Sequence, residues 1–356
     1  MKHSGIGTYL RGLAAGLSDL KIPAEKFCLF APEGQNHSPF PVSEFHAKIY
    51  SIEEQWQYPA RLARCQLWHS PHYNIPLIKG KTRLVVTIHD LIHWIFRKDF
   101  FTPLQAFYAG FMLRQAVGRA DHIITVSNKT KEDLIGYFQA PPEKISVIYE
   151  GVSERFHVQR DPRKTQAVRE KYGLPESFFL YVGLIKPHKN VHGLLRAFRT
   201  AKQRGELNAG LVILGKKDRR YAPEFKALAE LKTGDGIYYI PYAEAEDLAA
   251  LYNAGLALAH PSLYEGFGLT LLEAMACGLP VIASRAASLP EIAGDAAYWI
   301  EPGEDEAIIA AMKKIESEPA LREDLILKGH QRVRQFSWTR MAAETMEVYL
   351  RVLNGN

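Results

Sequence analysis

Residues 255–284 read GLALAHPSLYEGFGLTLLEAMACGLPVIAS, and the fold of the chain can be worked out from this stretch. Its apolar beginning predicts a buried strand that ends at His260, followed by a loop that contains Gly266 and Gly268. A helix is predicted from there to Gly278, because glycine commonly ends helices. The N–H groups at a helix N-terminus point outward and the helix dipole favours negative charge, so this arrangement predicts an anion site.

Strand and helix patterns alternate on both sides of this stretch, with short links between them. Strands are predicted at 83–88, 122–126, 145–148, 178–183, 210–214, 237–240, 255–260 and 280–283. Helices are predicted at 8–20, 103–119, from an N-cap at Ser127 to 137, 191–204, 222–232, 244–254, 270–277 and from 304 onward. The alternation indicates an α/β protein with parallel sheets, whose ligands bind beyond the carboxyl ends of the strands.

A polar stretch rich in arginine and lysine, residues 153–175, separates two such series of elements. It predicts a linker between two doubly wound, Rossmann-like domains. A cleft between the domains is the expected ligand site.

The composition is that of an ordinary globular protein, since 47% of the 356 residues are hydrophobic and 23% are charged. These values exclude a disordered or collagen-like chain. The longest apolar run, 178–185, is shorter than the roughly 20 residues that a membrane-spanning helix needs. The cysteines, Cys28, Cys65 and Cys277, form neither a metal-binding pair nor a disulfide framework, which favours a reducing, cytoplasmic location.

The formal net charge is +5, and most of the excess lies in residues 1–151, which hold 17 basic and 13 acidic residues. The basic residues are scattered, so a nucleic-acid partner is not expected. Two interpretations of the excess remain open. One is a solvated surface, and the other is a weak attraction to anionic lipid or to an anionic acceptor.

Two glutamates in the opening stretch predict what the anion site binds besides phosphate. Glu265 lies in the glycine loop, where a phosphate would repel it, so we expect it to contact sugar hydroxyls. Glu273 lies on the first turns of the helix, placed to accept hydrogen bonds from ribose hydroxyls. Together they predict a nucleotide-sugar pocket. The plainer interpretation is an ordinary strand, loop and helix with two surface glutamates.

The whole stretch resembles the E-x7-E region of glycosyltransferase family 4, whose members are retaining transferases with the GT-B fold. The resemblance implies two Rossmann-like domains that face each other across a cleft. It also implies that the backbone around Phe267, Gly268, Leu269 and Thr270 binds the donor diphosphate.

Residues 181–190, YVGLIKPHKN, resemble the donor-phosphate segment of the same family. The match implies that Lys189 neutralises the charge that the leaving diphosphate gains. Many members carry an arginine where this chain has Leu184. Lys186 either supplies the second positive charge or is a solvated loop lysine.

Residues 86–93, VTIHDLIH, resemble the N-terminal-domain signature of the family, which implies that His89 faces the donor sugar. The alternative is a strand-end histidine capped by Asp90. A metal-binding pair of His69 and His72 is disfavoured, because the intervening proline prevents a helix that would align the two rings and no further ligand has suitable spacing.

Gly5-Ile6-Gly7 resembles the first glycine loop of the family, which implies that the N–H groups of Gly5 and Gly7 approach the donor phosphate. A first parallel strand is expected before such a loop, yet only four residues precede it. We therefore expect that strand to be missing, either because the given start lies downstream of the true one or because the strand is absent and its place in the sheet is unfilled. We predict an acceptor-side domain at 1–155, a nucleotide-sugar-binding domain at 156–338 and a last helix at 339–356 that packs back on the first domain.

Together the matches imply a retaining hexosyltransferase with Lys189, Glu265 and His89 at its catalytic centre, which needs neither a metal nor another cofactor. The HDLI and PHKN segments resemble mannosyltransferase-like members, so GDP-mannose is the preferred donor. The expected acceptor is a glycan or lipid-linked glycan of surface polysaccharide biosynthesis. The expected location is the cytoplasm, with a peripheral contact to the membrane surface.

Two other functions stay open. One is a nucleotide-sugar-binding protein without catalysis. The other is an NAD-dependent oxidoreductase, which is disfavoured because Leu10 stands where its G-x-G-x-x-G motif needs the third glycine.

Overall fold

The structure is a computed structural model that describes residues 5–31, 39–45, 47, 52–159, 161–216 and 235–355. The chain divides into two compact units, of which unit 1 comprises Met1–Gly151 with Phe336–Asn356 and unit 2 comprises Val152–Gln335. The domain boundaries predicted after residues 155 and 338 lie four and three residues further along the chain than these divisions.

Unit 1 is built around a parallel sheet that is buried on both faces. Its strands are β1 Leu29–Ala31, β2 Val42–Glu44, β3 Leu67–Ser70, β4 Arg83–Ile88, β5 His122–Thr125 and β6 Ile145–Val147. The last four form one sheet in the order β3-β4-β5-β6, while β1 pairs with β2 separately. Along β4, Leu84 and Val86 enter one apolar cluster and Val85 enters another, as expected when successive side chains point to opposite faces.

The helices described before residue 151 confirm several predictions. They are α1 Gly5–Asp19, α2 Ile52–Leu62, α3 Ile92–Ile95, α4 Pro103–Arg119 and α5 Asn128–Phe138. Helix α4 has the predicted bounds and begins with a capping box between Thr102 and Gln105. Ser127 caps α5 as predicted, accepting a hydrogen bond from the Thr130 N–H.

The predicted glycine loop near the start of the chain is wrong in its conformation. Gly5 and Gly7 lie in the first turn of α1 rather than in a loop before it. The expected missing strand before Gly5 and the predicted helix at 222–232 lie outside the described residues.

Unit 2 is a doubly wound sheet with a topological switch at its centre. Its strands are β7 Phe178–Val182, β8 Gly210–Leu214, β9 Ile237–Ile240, β10 Ala257–His260, β11 Val281–Ser284 and β12 Tyr298–Ile300. All neighbouring pairs are parallel, in the order β12-β11-β10-β7-β8-β9. The strand order runs outward from β7 in one direction and from β10 in the other, which confirms the predicted Rossmann-like arrangement of this unit.

The helices of unit 2 correct the predicted linker. They are α6 Pro162–Tyr172, α7 Val191–Gln203, α8 Ala245–Ala254, α9 Leu269–Ala276, α10 Leu289–Ala293, α11 Asp305–Ser317 and α12 Pro319–Val333. Helix α6 lies inside the stretch 153–175 that was predicted as linker. It buries only Val168, so it shows no apolar period, but Asp161 caps its start and Gly173 ends it in the left-handed conformation.

The last helix, α13 Trp338–Asn354, belongs to unit 1 and packs against α1. Glycines on α1 make room for it, because a Cβ added at Gly16 would lie 2.3 Å from the Trp338 carbonyl oxygen. Its buried side chains join a core shared with α1, β4 and β5: Met341, Ala342, Val348, Tyr349 and Val352. None of the helices described has the length and apolar character needed to span a bilayer.

Candidate active site

The switch point of unit 2 gathers the segments predicted to bind the donor. Strands β7 and β10 are neighbours in the sheet. The loop with Lys186 and Lys189 leaves the carboxyl end of β7, and the glycine loop with Glu265 leaves the carboxyl end of β10. The N–H of Leu263 donates to the His188 carbonyl at 2.7 Å, which joins the two loops. Doubly wound sheets bind their ligands at this position.

Glu265 is a buried carboxylate held by three donors. Its Oε1 accepts from the Lys189 ammonium at 2.5 Å, the Ser262 hydroxyl at 2.8 Å and the His260 Nε2 at 3.1 Å. Burial raises the pKa of Glu265, but Lys189 and then His260 outweigh burial and hold that pKa well below its usual range. The group is therefore ionised at neutral pH. None of the described residues donates to its other oxygen, Oε2, which leaves that atom for a ligand hydroxyl.

Sequence reasoning missed His260 and Ser262, which both contact Glu265. His260 is the last residue of β10 and is 1% exposed. Its Nε2 faces Glu265 and its Nδ1 lies 3.4 Å from the Thr270 hydroxyl, so the imidazole links the glycine loop to the start of α9. One sequence signal could have identified it: a histidine ends an otherwise apolar strand, and a buried imidazole needs hydrogen-bond partners.

The glycine loop is fixed through its carbonyl groups, while the N–H groups of the helix that follows point away from the helix body. The buried Ser288 hydroxyl lies 2.8 Å from the Glu265 carbonyl and 3.1 Å from the Phe267 carbonyl. Gly268 has a φ of 108°, a backbone conformation that glycine adopts readily. The first turn of α9 then offers N–H groups that lack intrahelical acceptors.

Glu273 has surroundings unlike those of Glu265. The fully buried Tyr252 donates its hydroxyl hydrogen to Glu273 Oε2 at 2.8 Å. Burial raises the pKa of Glu273 to about 7, against the opposing effects of the Tyr252 hydrogen bond and of the Arg155 charge. The carboxyl group is therefore close to half-protonated at neutral pH. Sequence reasoning missed Tyr252, because nothing in the local pattern separates it from an ordinary core aromatic residue of α8.

Two glycines set the course of the donor-phosphate loop. A Cβ added at Gly215, after β8, would lie 1.8 Å from the Gly183 carbonyl oxygen, so the two backbones touch there. The Tyr181 hydroxyl donates to the Leu184 carbonyl at 3.2 Å and fixes the next residue of the loop. The loop is therefore held by backbone contact on one side and by a buried side chain on the other.

The two lysines of this loop, Lys186 and Lys189, have different surroundings. Lys189 ends the one-turn helix Pro187–Lys189 and pairs with Glu265. Lys186 is partly buried in the same loop. Leu184 is 38% exposed and brings no charge to this loop.

In unit 1, His89 lies at the carboxyl end of β4 between two acceptors. Its Nε2 lies 3.1 Å from the Pro71 carbonyl and its Nδ1 lies 3.1 Å from Oε1 of the buried Glu150. Because a carbonyl only accepts, Nε2 is the nitrogen that donates to Pro71. Asp90 accepts from the Ile92 N–H at the start of α3, so the alternative in which Asp90 caps His89 is wrong.

His69 belongs to a buried chain of hydrogen bonds in unit 1. Its Nδ1 lies 2.5 Å from the Tyr349 hydroxyl, and its Nε2 lies 2.7 Å from the Thr87 hydroxyl, which is 2.9 Å from that of Tyr9. Burial lowers the pKa of His69 to about 3, so the ring is neutral. Its role is structural. The described part of the chain contains no group of three or more side chains that could hold a metal ion.

The predicted site residues thus fall into three groups. Lys189 and Glu265 are in contact, Lys186 lies in the loop of Lys189, and residues 267–270 follow Glu265 into the start of α9. Glu273 lies further along α9 with Tyr252 as its partner. The remaining residues belong to unit 1: Gly5, Gly7 and His89.

Family models match both halves of the chain. Residues 3–156 match Glycosyltransferase Family 4, and residues 164–332 match Glycosyl transferases group 1. The chain is also 32% identical, over 286 residues, to the O-antigen chain mannosyltransferase B of Escherichia coli. That alignment covers 80% of this chain and 74% of the relative.

Solved structures share the fold along almost the whole chain. Sucrose-phosphate synthase of Thermosynechococcus elongatus has a TM-score of 0.81 at 21% identity, covering 99% of this chain and 94% of that one. The Anabaena protein HepE, solved in complex with UDP-glucose, has a TM-score of 0.78 at 18% identity, covering 98% and 96%. At these identities the likeness shows the fold, which is GT-B, and no more.

Proposed function

This chain belongs to glycosyltransferase family 4 and the group 1 glycosyl transferases, and on that premise we propose that it transfers a hexose from a nucleotide diphosphate sugar to a glycan or lipid-linked glycan. The preferred hexose is mannose. The transfer retains the anomeric configuration, as the resemblance to the family implies.

The observation that carries the proposal is the pairing of Lys189 with Glu265 at the switch point of unit 2. Lys189 supplies a cation for the diphosphate. Glu265 supplies an ionised carboxylate whose Oε2 faces no protein donor in the described chain, as a sugar hydroxyl requires. The start of α9 supplies N–H groups for phosphate oxygens. Two of these features match the diphosphate of the donor, and the third matches its sugar.

In the proposed reaction, the bond from the anomeric carbon to the diphosphate oxygen breaks, and a bond from that carbon to the acceptor oxygen forms on the same face. The leaving diphosphate takes the acceptor proton, so the products are the glycosylated acceptor and a nucleoside diphosphate. Lys189, Lys186 and the backbone of residues 267–270 stabilise the charge that the leaving group gains. This neutralisation by the protein supports a reaction without metal or cofactor, for which turnover unchanged by excess chelator is the expected result.

Each carboxylate has its own part of the donor. Glu265 accepts from a sugar hydroxyl through Oε2, while His260 and Ser262 hold Oε1 in place. Glu273 accepts from the ribose hydroxyls. In unit 1, Glu150 orients the ring of His89, the residue for which the family resemblance implies a contact with the donor sugar.

The relatives support a choice of donor and acceptor. The Escherichia coli relative is an O-antigen chain mannosyltransferase. We therefore rank GDP-mannose first among the donors. A growing glycan chain is the proposed acceptor, free or linked to lipid at the cytoplasmic face of a membrane, with the enzyme in peripheral contact there.

The test is release of nucleoside diphosphate from a panel of nucleotide sugars, with matched variants. Lys189→Ala and Glu265→Gln are each expected to lower kcat/KM by about a hundredfold or more. Lys313→Ala and Glu206→Gln change a surface lysine–glutamate pair of the same unit and should leave the rate unchanged. Full activity of both site variants would show that the site lies elsewhere.

The alternatives have distinct outcomes in the same experiment. Calorimetric binding of nucleotide sugars without turnover on any acceptor would favour a binding protein without catalysis. Membership of this family argues against the NAD-dependent oxidoreductase.

A further inference from the structure

One ion pair sets the charge of the donor site in unit 2. The Lys189 ammonium contacts Glu265 Oε1 at 2.5 Å, and the two side chains are 20% and 10% exposed. Because water screens such a pair only weakly, each charge depends on the other. The proposed function assigns both lysines of the donor-phosphate loop, Lys186 and Lys189, to the diphosphate. Donor binding therefore draws positive charge away from Glu265.

His260 is the titratable group that lies between Glu265 and the start of α9. Its Nε2 lies 3.1 Å from Glu265 Oε1 and 3.2 Å from the Ser262 hydroxyl. Because an ionised carboxylate only accepts, Nε2 is the nitrogen that donates to Glu265. On the neighbouring strand β11, Ala283 pairs with His260, so the sheet adds no charge there. The ring is thus buried directly against the anion.

The other ring nitrogen of His260 has a partner that suits both charge states of the imidazole. Its Nδ1 lies 3.4 Å from the Thr270 hydroxyl. A neutral ring accepts a hydrogen bond from that hydroxyl, and a cationic ring donates one to it, since a hydroxyl can do either. Thr270 is the second residue of α9, whose first N–H groups are the proposed phosphate ligands. One side chain therefore separates the imidazole from the phosphate position.

The other titratable groups near Glu265 are less suited than His260 to gain a proton. Burial and then the Glu265 charge raise the pKa of Tyr181 well above its usual range, so that phenol is already protonated. Burial raises the pKa of Glu265, and Lys189 lowers it most. His260 lowers it further, and His188 lowers it least. Of the two histidines, His260 is therefore the one more closely coupled to the carboxylate.

We propose that His260 takes up a proton when the diphosphate of the donor binds, so that binding of the nucleotide sugar is coupled to proton uptake. Negative charge then lies on both sides of the ring, with Glu265 beyond Nε2 and phosphate beyond Thr270. Burial disfavours a charged imidazole, and so does the positive end of α9. The contact with Glu265 opposes the effect of burial, and bound phosphate opposes the effect of the helix dipole.

His260 is a better site for this proton than Glu265 itself. Glu265 Oε1 is surrounded by donors, which favour the ionised carboxylate: Lys189, His260 and Ser262. A proton on Glu265 would also weaken the acceptor that the proposed function provides for a sugar hydroxyl. A proton on His260 leaves that anion in place and adds positive charge beside the diphosphate, which gains negative charge as it leaves.

The coupling deepens the proposed function, on which it rests for the identity of the donor. Titration calorimetry of the full chain with GDP-mannose near neutral pH, without acceptor, in HEPES and in Tris measures it, because the two buffers release protons with different enthalpies. The diphosphate of a nucleotide sugar does not titrate near neutral pH, so any change in bound protons belongs to the protein. Wild type is expected to take up about half a proton or more, and its affinity is expected to fall roughly threefold per pH unit.

His260→Asn keeps a side-chain donor near Glu265 and removes the group that titrates. Its proton uptake is expected to be lower than that of wild type by about half a proton or more. His188→Asn changes the other buried histidine near Glu265 and is the matched control, which should keep the uptake of wild type. Glu273, whose pKa is about 7, changes its own proton count when ribose binds, but all three proteins contain it, so comparison between them cancels its contribution.

Equal proton uptake by wild type and His260→Asn overturns the coupling, as does uptake that is lost in His188→Asn alone. If His260→Asn does not fold, imidazole ¹⁵N NMR spectra of wild type with and without GDP-mannose decide, and spectra in which no ring becomes cationic overturn the coupling. Donor binding by wild type without proton uptake overturns the coupling and leaves the proposed function in place. Failure of wild type to bind any nucleotide sugar overturns both.

Discussion

Glu265 and Glu273 lie eight positions apart in the chain, yet their surroundings shift the pKa values of their carboxyl groups in opposite directions. Glu265 shares one oxygen with a lysine and a histidine, and its pKa lies well below the usual range. Glu273 has a buried tyrosine as its partner, and its pKa is about 7. Glu265 is thus ionised at neutral pH, whereas the charge of Glu273 depends on pH near neutrality.

Glu273 is expected to make unit 2 less stable as pH rises. Because burial raises its pKa from 4.5 to about 7, the fold favours the protonated form, and stability present below about pH 4.5 is lost as pH rises toward 7. Glu273→Gln removes this dependence and keeps an acceptor for Tyr252. The variant's free energy of unfolding minus that of wild type should therefore be larger at about pH 8 than at about pH 4, by roughly 2–3 kcal/mol.

Urea unfolding of both proteins at the two pH values measures this gain. If the difference in free energy of unfolding between the variant and wild type is the same at both pH values, the raised pKa of Glu273 is contradicted.

Sequence patterns identify the residues of the candidate site better than they identify the side chains that hold those residues in place. Lys189 and Glu265 follow strand ends within segments that resemble a known family, and the structure brings them into contact. His260 and Tyr252 carry no such signal, because each meets its glutamate through the tertiary fold. Glu150, the partner of His89, lies 61 positions away from it in the chain. Hydrogen-bond partners that only the tertiary fold brings together cannot be predicted from the spacing of residues along the chain.

At the scale of elements, the loops after β7 and β8 fix each other through Gly183 and Gly215. Gly215→Ala is expected to push the donor-phosphate loop away, since its Cβ would meet a backbone carbonyl at 1.8 Å. We expect about 1–3 kcal/mol less free energy of unfolding. We also expect about tenfold weaker binding of nucleoside diphosphate, which is ~1.4 kcal/mol.

Urea unfolding and titration calorimetry measure the two effects of Gly215→Ala. Gly136→Ala on α5 is the control, because nothing lies within 4 Å of its added Cβ. It should raise stability by about 0.5–1 kcal/mol. Unchanged nucleotide affinity in Gly215→Ala would place the loop outside the donor site.

Elements with a strong apolar period or clear caps are predictable from this sequence, and the others are not. Helix α4 has both a period and a capping box, and its bounds agree with the prediction. Helix α2 contains Pro59, which normally indicates a helix break. Helix α6 buries one residue, so its caps are its only signal. The elements missed are those whose apolar pattern is weak or interrupted.

At the scale of the whole molecule, unit 1 is completed by α13. Five buried apolar residues of this helix pack with β4 and β5, and burying them contributes roughly 10 kcal/mol. Ending the chain at Gln335 is therefore expected to unfold unit 1, since a domain is stable by only about 5–15 kcal/mol. Unit 2 keeps all of its own residues in that variant and should stay folded.

Limited proteolysis and urea unfolding measure the effect of this truncation. A chain that ends at Asn354 retains the whole of α13 and is the control, which should resist protease like the full chain. A truncated chain whose unit 1 still unfolds cooperatively would show that α13 is not part of its core.

The return of α13 to unit 1 also sets the order in which the chain folds during synthesis. Unit 2 is one continuous segment, so all of its residues leave the ribosome before α13 does. The core of unit 1 must wait for α13, and the contact between Asp19 and Thr339 closes a loop of 320 residues. We therefore expect unit 2 to be able to fold before unit 1 is complete. The face of α1 that receives Trp338 should stay uncovered until α13 has left the ribosome, which leaves apolar surface of nascent unit 1 exposed in the meantime.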